Sequence, residues 1–308
     1  MEKKISIIIP VYNEASNIQP MLDALERFVP VNYRVELIYV DDGSTDNTLE
    51  MVRHIFFRNQ QVHYISFSRN FGHQNALKAG MDKATGDCVI TLDGDLQHPP
   101  ELIPVMLSKW EEGYDVVYTR RREDKRLPFS KRYTSKRFYG IMQYMSGLNI
   151  EPGIADYRLI DRQVVDILVQ FREPDPFLRG IIKWMGFKQY AIDYNAHERL
   201  SGVTKYSTKK MLKFALQGIT SFSVRPLYLS IILGSISTIL SLIYIPYVIW
   251  HACMGYAVPG WASTIITIMF FGGLQMLLLG IIGIYIGKIF IQTKRRPEYI
   301  IRTTNMEK

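Results

Sequence analysis

Cys88-Val89-Ile90-Thr91-Leu92-Asp93-Gly94-Asp95 is a short apolar run that ends in two carboxylates one residue apart. The run reads as a buried strand. Its carboxyl end is where an open α/β sheet binds ligands, and there Asp93 and Asp95 stand. Gly94 between them leaves room for a ligand to approach the backbone. Paired carboxylates supply the hard oxygen donors that Mg²⁺ or Mn²⁺ prefers, and such an ion shares its remaining positions with substrate phosphates. The stretch 92–100 therefore points to a metal that grips a diphosphate. An acidic turn before a helix, with Asp95 as its cap, is the alternative.

Outward from this run the chain alternates. Strand-like segments at 5–11, 35–40, 62–67, 88–92 and 115–119 are separated by helix-like segments at 18–28, 45–55, 73–84 and 100–112. Alternation with short connections predicts an α/β fold, a mostly parallel sheet covered by helices. Loops at the carboxyl ends of parallel strands converge, so two further loops join the acidic pair: Pro10-Val11-Tyr12-Asn13-Glu14 and Asp41-Asp42-Gly43-Ser44-Thr45-Asp46. Each also has a local reading. Asp42, Ser44 and Asp46 suit a helix cap, and Glu14 suits the start of a helix dipole. No G-x-G-x-x-G follows the first strand and no Walker lysine is present, which disfavours dinucleotide and P-loop folds.

The net charge is +8 over 308 residues, but it is unevenly placed. Lys205, Lys209, Lys210, Lys213 and Arg225 are unopposed within 204–226. Lys288, Lys294, Arg295, Arg296, Arg302 and Lys308 outnumber the acids within 288–308. Between these basic flanks, 227–287 carries no charged residue. Positive charge beside such a segment fits a membrane surface better than nucleic acid. The uncharged segment divides into spans at about 227–250 and 262–287, each longer than the roughly 20 residues a bilayer core needs. The connection at 251–261 has no Lys or Arg, so the positive-inside rule puts both basic flanks and both termini in the cytoplasm. Trp250, Tyr256 and Trp261 suit the far interface. Gly272, Gly273, Gly280, Gly283 and Gly287 fit either a helix-packing face or ordinary membrane-helix usage. The opening Met1-Glu2-Lys3-Lys4 shows no signal-peptide pattern. Cys88 and Cys253 imply neither a disulfide framework nor a metal site.

The order 7–14 (Ile-Ile-Ile-Pro-Val-Tyr-Asn-Glu), 40–46 (Val-Asp-Asp-Gly-Ser-Thr-Asp), Asn70-Phe71-Gly72-His73 and 92–97 (Leu-Asp-Gly-Asp-Leu-Gln) resembles family 2 glycosyltransferases of the GT-A fold. Segments 153–162, 177–180 and 199–206, with the terminal pair of spans, are similar to polyprenyl-phosphate glycosyltransferases, the group of bactoprenol glucosyltransferases and dolichyl-phosphate mannose synthases. The resemblance covers nearly the whole chain. It implies a cytoplasmic GT-A domain over 1–203, a basic amphipathic juxtamembrane segment over 204–226, two transmembrane helices within 227–287 and a basic cytoplasmic tail over 288–308.

By the same resemblance, Pro10, Tyr12, Glu14, Asp41, Asp42 and Asp93 hold the donor nucleotide sugar. Asp93, Asp95 and Gln97 hold Mg²⁺ or Mn²⁺, with Asp95 also counted among the catalytic residues. Asp156 matches the family's catalytic carboxylate, and Arg199 and Lys205, with Arg120 and Arg179, meet phosphate groups. His98 departs from the Asp or Asn of many relatives and is expected to act behind the metal ligands, with a role as an extra ligand as the second reading. The implied reaction moves a sugar, glucose from UDP-glucose as the leading expectation, to polyprenyl phosphate on the cytoplasmic leaflet of the inner membrane, with inversion. Its product would serve cell-surface glycan or O-antigen modification. Membrane lipids are implied partners, nucleic acid is not, and some relatives form tetramers. The acceptor phosphate has a second pKa of about 6 and is mostly dianionic at neutral pH, so it needs little deprotonation. Asp156 is therefore expected to orient groups, with general-base catalysis as the second reading. Phe138, Ile141, Met142 and Met145, beside Lys131, Arg132, Lys136 and Arg137, have the spacing of an amphipathic interfacial helix or of a core-facing one. Two rivals are weighed. A processive polysaccharide synthase would carry Gln-x-x-Arg-Trp, which does not occur here. A non-catalytic nucleotide-sugar sensor would not need the acidic pair.

Overall fold

The computed structural model describes residues 2–122, 140, 143–144, 147, 151, 153–173, 176–195, 220, 223–254 and 260–306. The predicted alternation is present. Strands β1 (Lys4–Val11), β2 (Arg34–Asp41), β3 (Val62–Phe67), β4 (Cys88–Thr91) and β5 (Val116–Arg121) alternate with helices α1 (Ile18–Phe28), α2 (Thr48–Arg58), α3 (His73–Lys83) and α4 (Ile103–Glu111). Then follow β6 (Ile154–Asp161), α5 (Arg162–Leu168), α6 (Leu178–Trp184) and β7 (Gln189–Tyr194). Two long helices, α7 (Arg225–Cys253) and α8 (Trp261–Thr293), precede a last strand, β8 (Ile301–Thr304).

The strands form one sheet in the order β7-β5-β6-β4-β1-β2-β3-β8. β1 is central, pairing in parallel with β2 and β4, and only its first residue escapes burial. Alternation along β1 serves two cores. Ile5, Ile7 and Ile9 pack with Met21, Leu25, Ile103 and Met106 from α1 and α4. Ile8 packs on the opposite face with residues of α3, α5 and α6, among them Ala76, Val164 and Ile181. The domain is thus a sheet with helices on both faces, as a parallel sheet requires.

Two strands oppose the rest. β6 inserts antiparallel between β4 and β5. Its alternation hides well in sequence because Asp156 and Arg158 occupy inward positions and are almost fully buried. β8 pairs antiparallel with β3, setting Ile301 opposite Phe67. The segment 288–308, read above as a basic tail, therefore contributes an edge strand to the sheet. Tyr299 reinforces it by stacking on Phe67 at 5.1 Å and donating to Asp82 at 2.6 Å.

α7 and α8 outrun the expected spans, the second continuing past Gly287 and Lys288 to Thr293. Both are long and apolar enough to cross a membrane, over Arg225–Tyr244 and Phe270–Thr293. Pro246 lies inside α7. The side chains of Ile232, Leu240, Ile243, Met276 and Phe290 stand exposed along these helices. A Cβ added at Gly272, Gly273, Gly280, Gly283 or Gly287 would meet nothing within 4 Å among the described residues. Phe138, Ile141, Met142 and Met145, which carried the amphipathic reading of 130–147, and the basic segment of 204–219 fall outside the described residues.

Gly80 fixes how closely α3 lies on β1. A Cβ there would sit 2.4 Å from Ile8 Cγ2 and 3.1 Å from Ile8 Cδ1. A Gly→Ala change inside a helix normally adds about 0.5–1 kcal/mol of stability. Here the sign reverses, because Ile8 is fully buried and branched at Cβ. Gly80→Ala is expected to cost about 1–3 kcal/mol, read as a lower melting temperature.

Candidate active site

At the carboxyl edge of the sheet lies a cleft of about 320 Å³, lined by residues of all three loops read from the sequence. Pro10, Tyr12 and Glu14 come from the end of β1, Asp42 from the end of β2, and Asp93 and Asp95 follow β4. Asp156 enters from β6, His73 from the first turn of α3 and Arg179 from α6. The antiparallel register Thr91↔Arg158, carried two residues further, brings Asp156 alongside Asp93.

The loops are tied to one another by hydrogen bonds. Asn13, with φ of 56°, donates its N–H to Ser44 Oγ at 2.9 Å and accepts from Thr45 N–H through Oδ1 at 2.8 Å. Asp42 accepts from the backbone N–H of Phe71 at 2.6 Å and of Gly72 at 2.9 Å, and so fastens the loop before α3. Burial pushes its carboxyl up, against the pull of those two N–H donors. Asp46, not Asp42, serves the start of α2, accepting from Thr48 N–H at 3.0 Å. Glu14 accepts from Asn17 Nδ2 at 2.5 Å.

Asp93 and Asp156 form the charged centre. Asp156 is buried and receives both arms of Arg179, Nε and an Nη each at 2.7 Å, and Gln74 Nε2 at 2.9 Å. Burial alone would raise this carboxyl; Arg179 and His73 overrule it and hold it well below the ordinary carboxylate range. His73 Nε2 stands between the two acids, 3.4 Å from Asp93 Oδ1 and 3.5 Å from Asp156 Oδ2. Partial desolvation opposes its charge, but the two carboxylates push it up to about 9. Asp93 is likewise held below its usual range, since His73 and His98 outweigh its burial. Its Oδ1 is buried without a hydrogen bond, and its Oδ2 takes His98 Nε2 at 2.9 Å. His98 is itself buried, and Tyr194 Oη meets its Nδ1 at 2.8 Å. This pairing fits a Tyr194 hydroxyl that donates to Nδ1 and an Nε2–H that donates to Asp93. His98 thus links Asp93 to Tyr194 across the wall of the cleft.

Several expectations change on contact with the geometry. Asp41 is buried and internally satisfied, accepting from Ser44 N–H at 2.9 Å and Ser66 Oγ at 2.8 Å, and does not line the cleft. Gln97 does not line it either, and its amide nitrogen is buried without a partner. Arg120 is held elsewhere, by Asp193 at 2.7 Å and Glu151 at 2.5 Å, so its charge is already matched. Arg199 and Lys205 lie outside the described residues. Asp95 does cap a turn, accepting from Gln97 N–H at 3.1 Å, while remaining in the cleft wall. Gly94 is required less for ligand access than for packing, because a Cβ would meet Val11 Cγ1 at 2.9 Å and the Pro10 carbonyl at 3.2 Å. His73, Gln74 and Tyr194 were missed as site residues. His73 stood in the quoted Asn70–His73 motif, and a histidine opening a helix at this sheet edge was the available signal.

A doubly covered sheet with acidic loops gathered at its carboxyl edge is here the GT-A fold, and the chain is a glycosyltransferase. It belongs to glycosyl transferase family 2, whose profile matches residues 6–168. An uncharacterized glycosyltransferase of Synechocystis is 41% identical over 98% of this chain and 95% of its own length. A bactoprenol glucosyl transferase of Shigella phage SfV is 36% identical over 97% of this chain and 98% of its own. Among solved structures, Staphylococcus aureus TarS, in complex with UDP-GlcNAc, shares the fold with a TM-score of 0.50 at 17% identity, over 71% of this chain and 66% of that one.

Breaking the Arg179–Asp156 pair leaves a buried charge that His73 offsets only in part. Arg179→Ala is expected to destabilise the protein by about 2–4 kcal/mol at pH 7. Asp156 has a depressed pKa when folded, so its contribution is present above the unfolded value near 3.9 and lost below it. The gap between variant and parent melting temperatures should therefore close as pH falls below about 4.

Proposed function

We propose that this enzyme transfers a glucosyl group from UDP-glucose to a polyprenyl phosphate at the cytoplasmic face of a membrane. The observation that carries the reading is the joining of one catalytic edge to two long apolar helices. β8 meets β3 at its carboxyl end, so the chain leaving α8 returns to the edge that holds the cleft. An acceptor with its phosphate at the membrane surface would be presented to that edge. Relatives named for bactoprenol glucosyl transfer, similar over almost their whole length, support the same acceptor and sugar. The basic flanks favour the cytoplasmic side for both ends of the helix pair.

The cleft suits a divalent ion. Asp93 Oδ1 is a buried oxygen without a hydrogen bond, and Asp95 stands in the same wall. No cluster of three or more His, Cys, Asp or Glu side chains suited to a metal occurs among the described residues. Two carboxylates, with phosphates and water completing the shell, are what Mg²⁺ or Mn²⁺ accepts. Asp93 and Asp95 would hold the ion, which when bound offsets charge on the departing nucleoside diphosphate as a Lewis acid. Tyr12, 46% exposed at the cleft, offers a face for the donor's base.

In the reaction a phosphate oxygen of the acceptor bonds to the anomeric carbon as that carbon's bond to the donor diphosphate breaks. The acceptor brings its own electron pair and, as a dianion, no proton that must leave. Asp156 is a weak base, held ionised by Arg179 and His73. Its part is to fix Arg179 and His73, the cations that face two incoming anions.

Membranes containing the enzyme should move label from radioactive UDP-glucose into the lipid fraction, and Asp93→Asn or Asp95→Asn should lower this about a hundredfold or more. An enzyme that labelled lipid from UDP-N-acetylglucosamine instead would sink the sugar assignment while leaving the acceptor. Asp156→Asn should slow transfer at every pH and leave the parent's acid limb in place. Loss of that limb in the variant would restore Asp156 as the base.

A further inference from the structure

A second cleft, of about 830 Å³, opens where α8 ends. Ile289 and Ile291 line its helical wall, Arg172, Arg295 and Arg296 bring positive charge, and Glu298 lines it as well. Among the described residues none of these four charged side chains makes an ion pair, and none lines the catalytic cleft. The chain turns sharply here, with Arg295 at φ of 48° and its N–H donating to the Gln292 carbonyl at 3.2 Å. Both carboxylate oxygens of Glu298 are buried and lack a hydrogen-bond partner among the described residues. Burial pushes that carboxyl up, although Lys78 and Arg172 pull it down, with Asp82 adding to the rise. An acid left this way is costly unless a donor reaches it.

The apolar segment of α8 ends at Thr293, so on the reading that α8 crosses the membrane this cleft lies at headgroup depth. Three arginines match a phosphodiester, which guanidinium groups bind in forked fashion. Glu298 asks for the opposite charge in the same ligand, and a primary ammonium offers three donors. Ile289 and Ile291 suit the first methylenes of acyl chains. We propose that this cleft is a binding site for one aminophospholipid, its phosphate on Arg172, Arg295 and Arg296 and its ammonium on Glu298. The lipid would be a fixed structural partner at the join between α8 and the sheet, distinct from the transfer substrate.

The test is native mass spectrometry of the full chain in mild detergent, offered phosphatidylethanolamine, phosphatidylglycerol and phosphatidylcholine in equal amounts. Phosphatidylcholine has the charge without the N–H donors, and phosphatidylglycerol lacks the ammonium. The parent should retain phosphatidylethanolamine preferentially. Glu298→Gln should reduce that preference about tenfold, the worth of one charge-assisted hydrogen bond. Because Glu298 has no hydrogen bond to lose among the described residues, and its burial outweighs the pull of Lys78 and Arg172, the variant's melting temperature should not fall. Replacing Arg295 and Arg296 together by Ala should remove retention of all three lipids. Equal retention of the three by the parent, or an unchanged preference in Glu298→Gln, would overturn the assignment. Lipid held along the helices without headgroup preference would leave the membrane reading intact and remove only this site. Displacement of phosphatidylethanolamine by polyprenyl phosphate would also overturn it, by making the cleft part of the acceptor's path.

Discussion

Two carboxylates forced side by side organise this molecule. β6 runs against β4, and the register sets Asp156 beside Asp93 at the mouth of the sheet. Neither charge is tolerable there alone, so partners are recruited from three separate elements: His73 from α3, His98 after β4 and Arg179 from α6. The helices on one face of the sheet are thereby tied to the catalytic edge by charge as well as by apolar packing. Removing any one of these partners would unbalance a buried network, which is more expensive than losing a single surface contact.

The same arrangement suits the chemistry. In the proposed reaction a donor diphosphate and an acceptor phosphate are both anionic, and the enzyme must bring them together. On that proposal Asp93 and Asp95 would hold the cation shared with the diphosphate, while Asp156 secures Arg179 and His73 for the other anion. The contrast between Asp93, with an oxygen left over, and Asp156, saturated by Arg179 and Gln74, separates the two acids by environment rather than by residue type. Asp41 and Asp42 divide in a similar way. One closes its own turn while the other reaches the cleft wall and holds the next loop.

Much of the sheet could be read from the chain because β1 to β5 are apolar runs with regular helical spacing between them. β6 could not, since its inward positions include Asp156 and Arg158, and buried charge defeats a pattern that counts apolar residues. β8 was hidden for a different reason: its four residues follow a basic stretch and alternate weakly, and only pairing with β3 makes them a strand. The cleft was legible as three loops but not as a network. Sequence spacing put Asp93, Asp95 and Tyr12 at the carboxyl edge, where they line the cleft, yet it could not show that Arg120 is spent on Asp193 and Glu151, or that His98 and Tyr194 form a brace across 96 residues.

β8 also constrains how the protein is made. Its partner β3 emerges early in synthesis, while β8 appears only after both long helices. Until then the β3 edge has open hydrogen-bonding groups, a surface prone to wrong pairing. Closure requires that the chain leave the catalytic domain, traverse the helix pair and come back to the same side. On the reading that α7 and α8 cross a membrane, the sheet is completed only by a molecule whose helix pair returns the chain to the side it left, which makes β8 a check on topology as much as a piece of the fold.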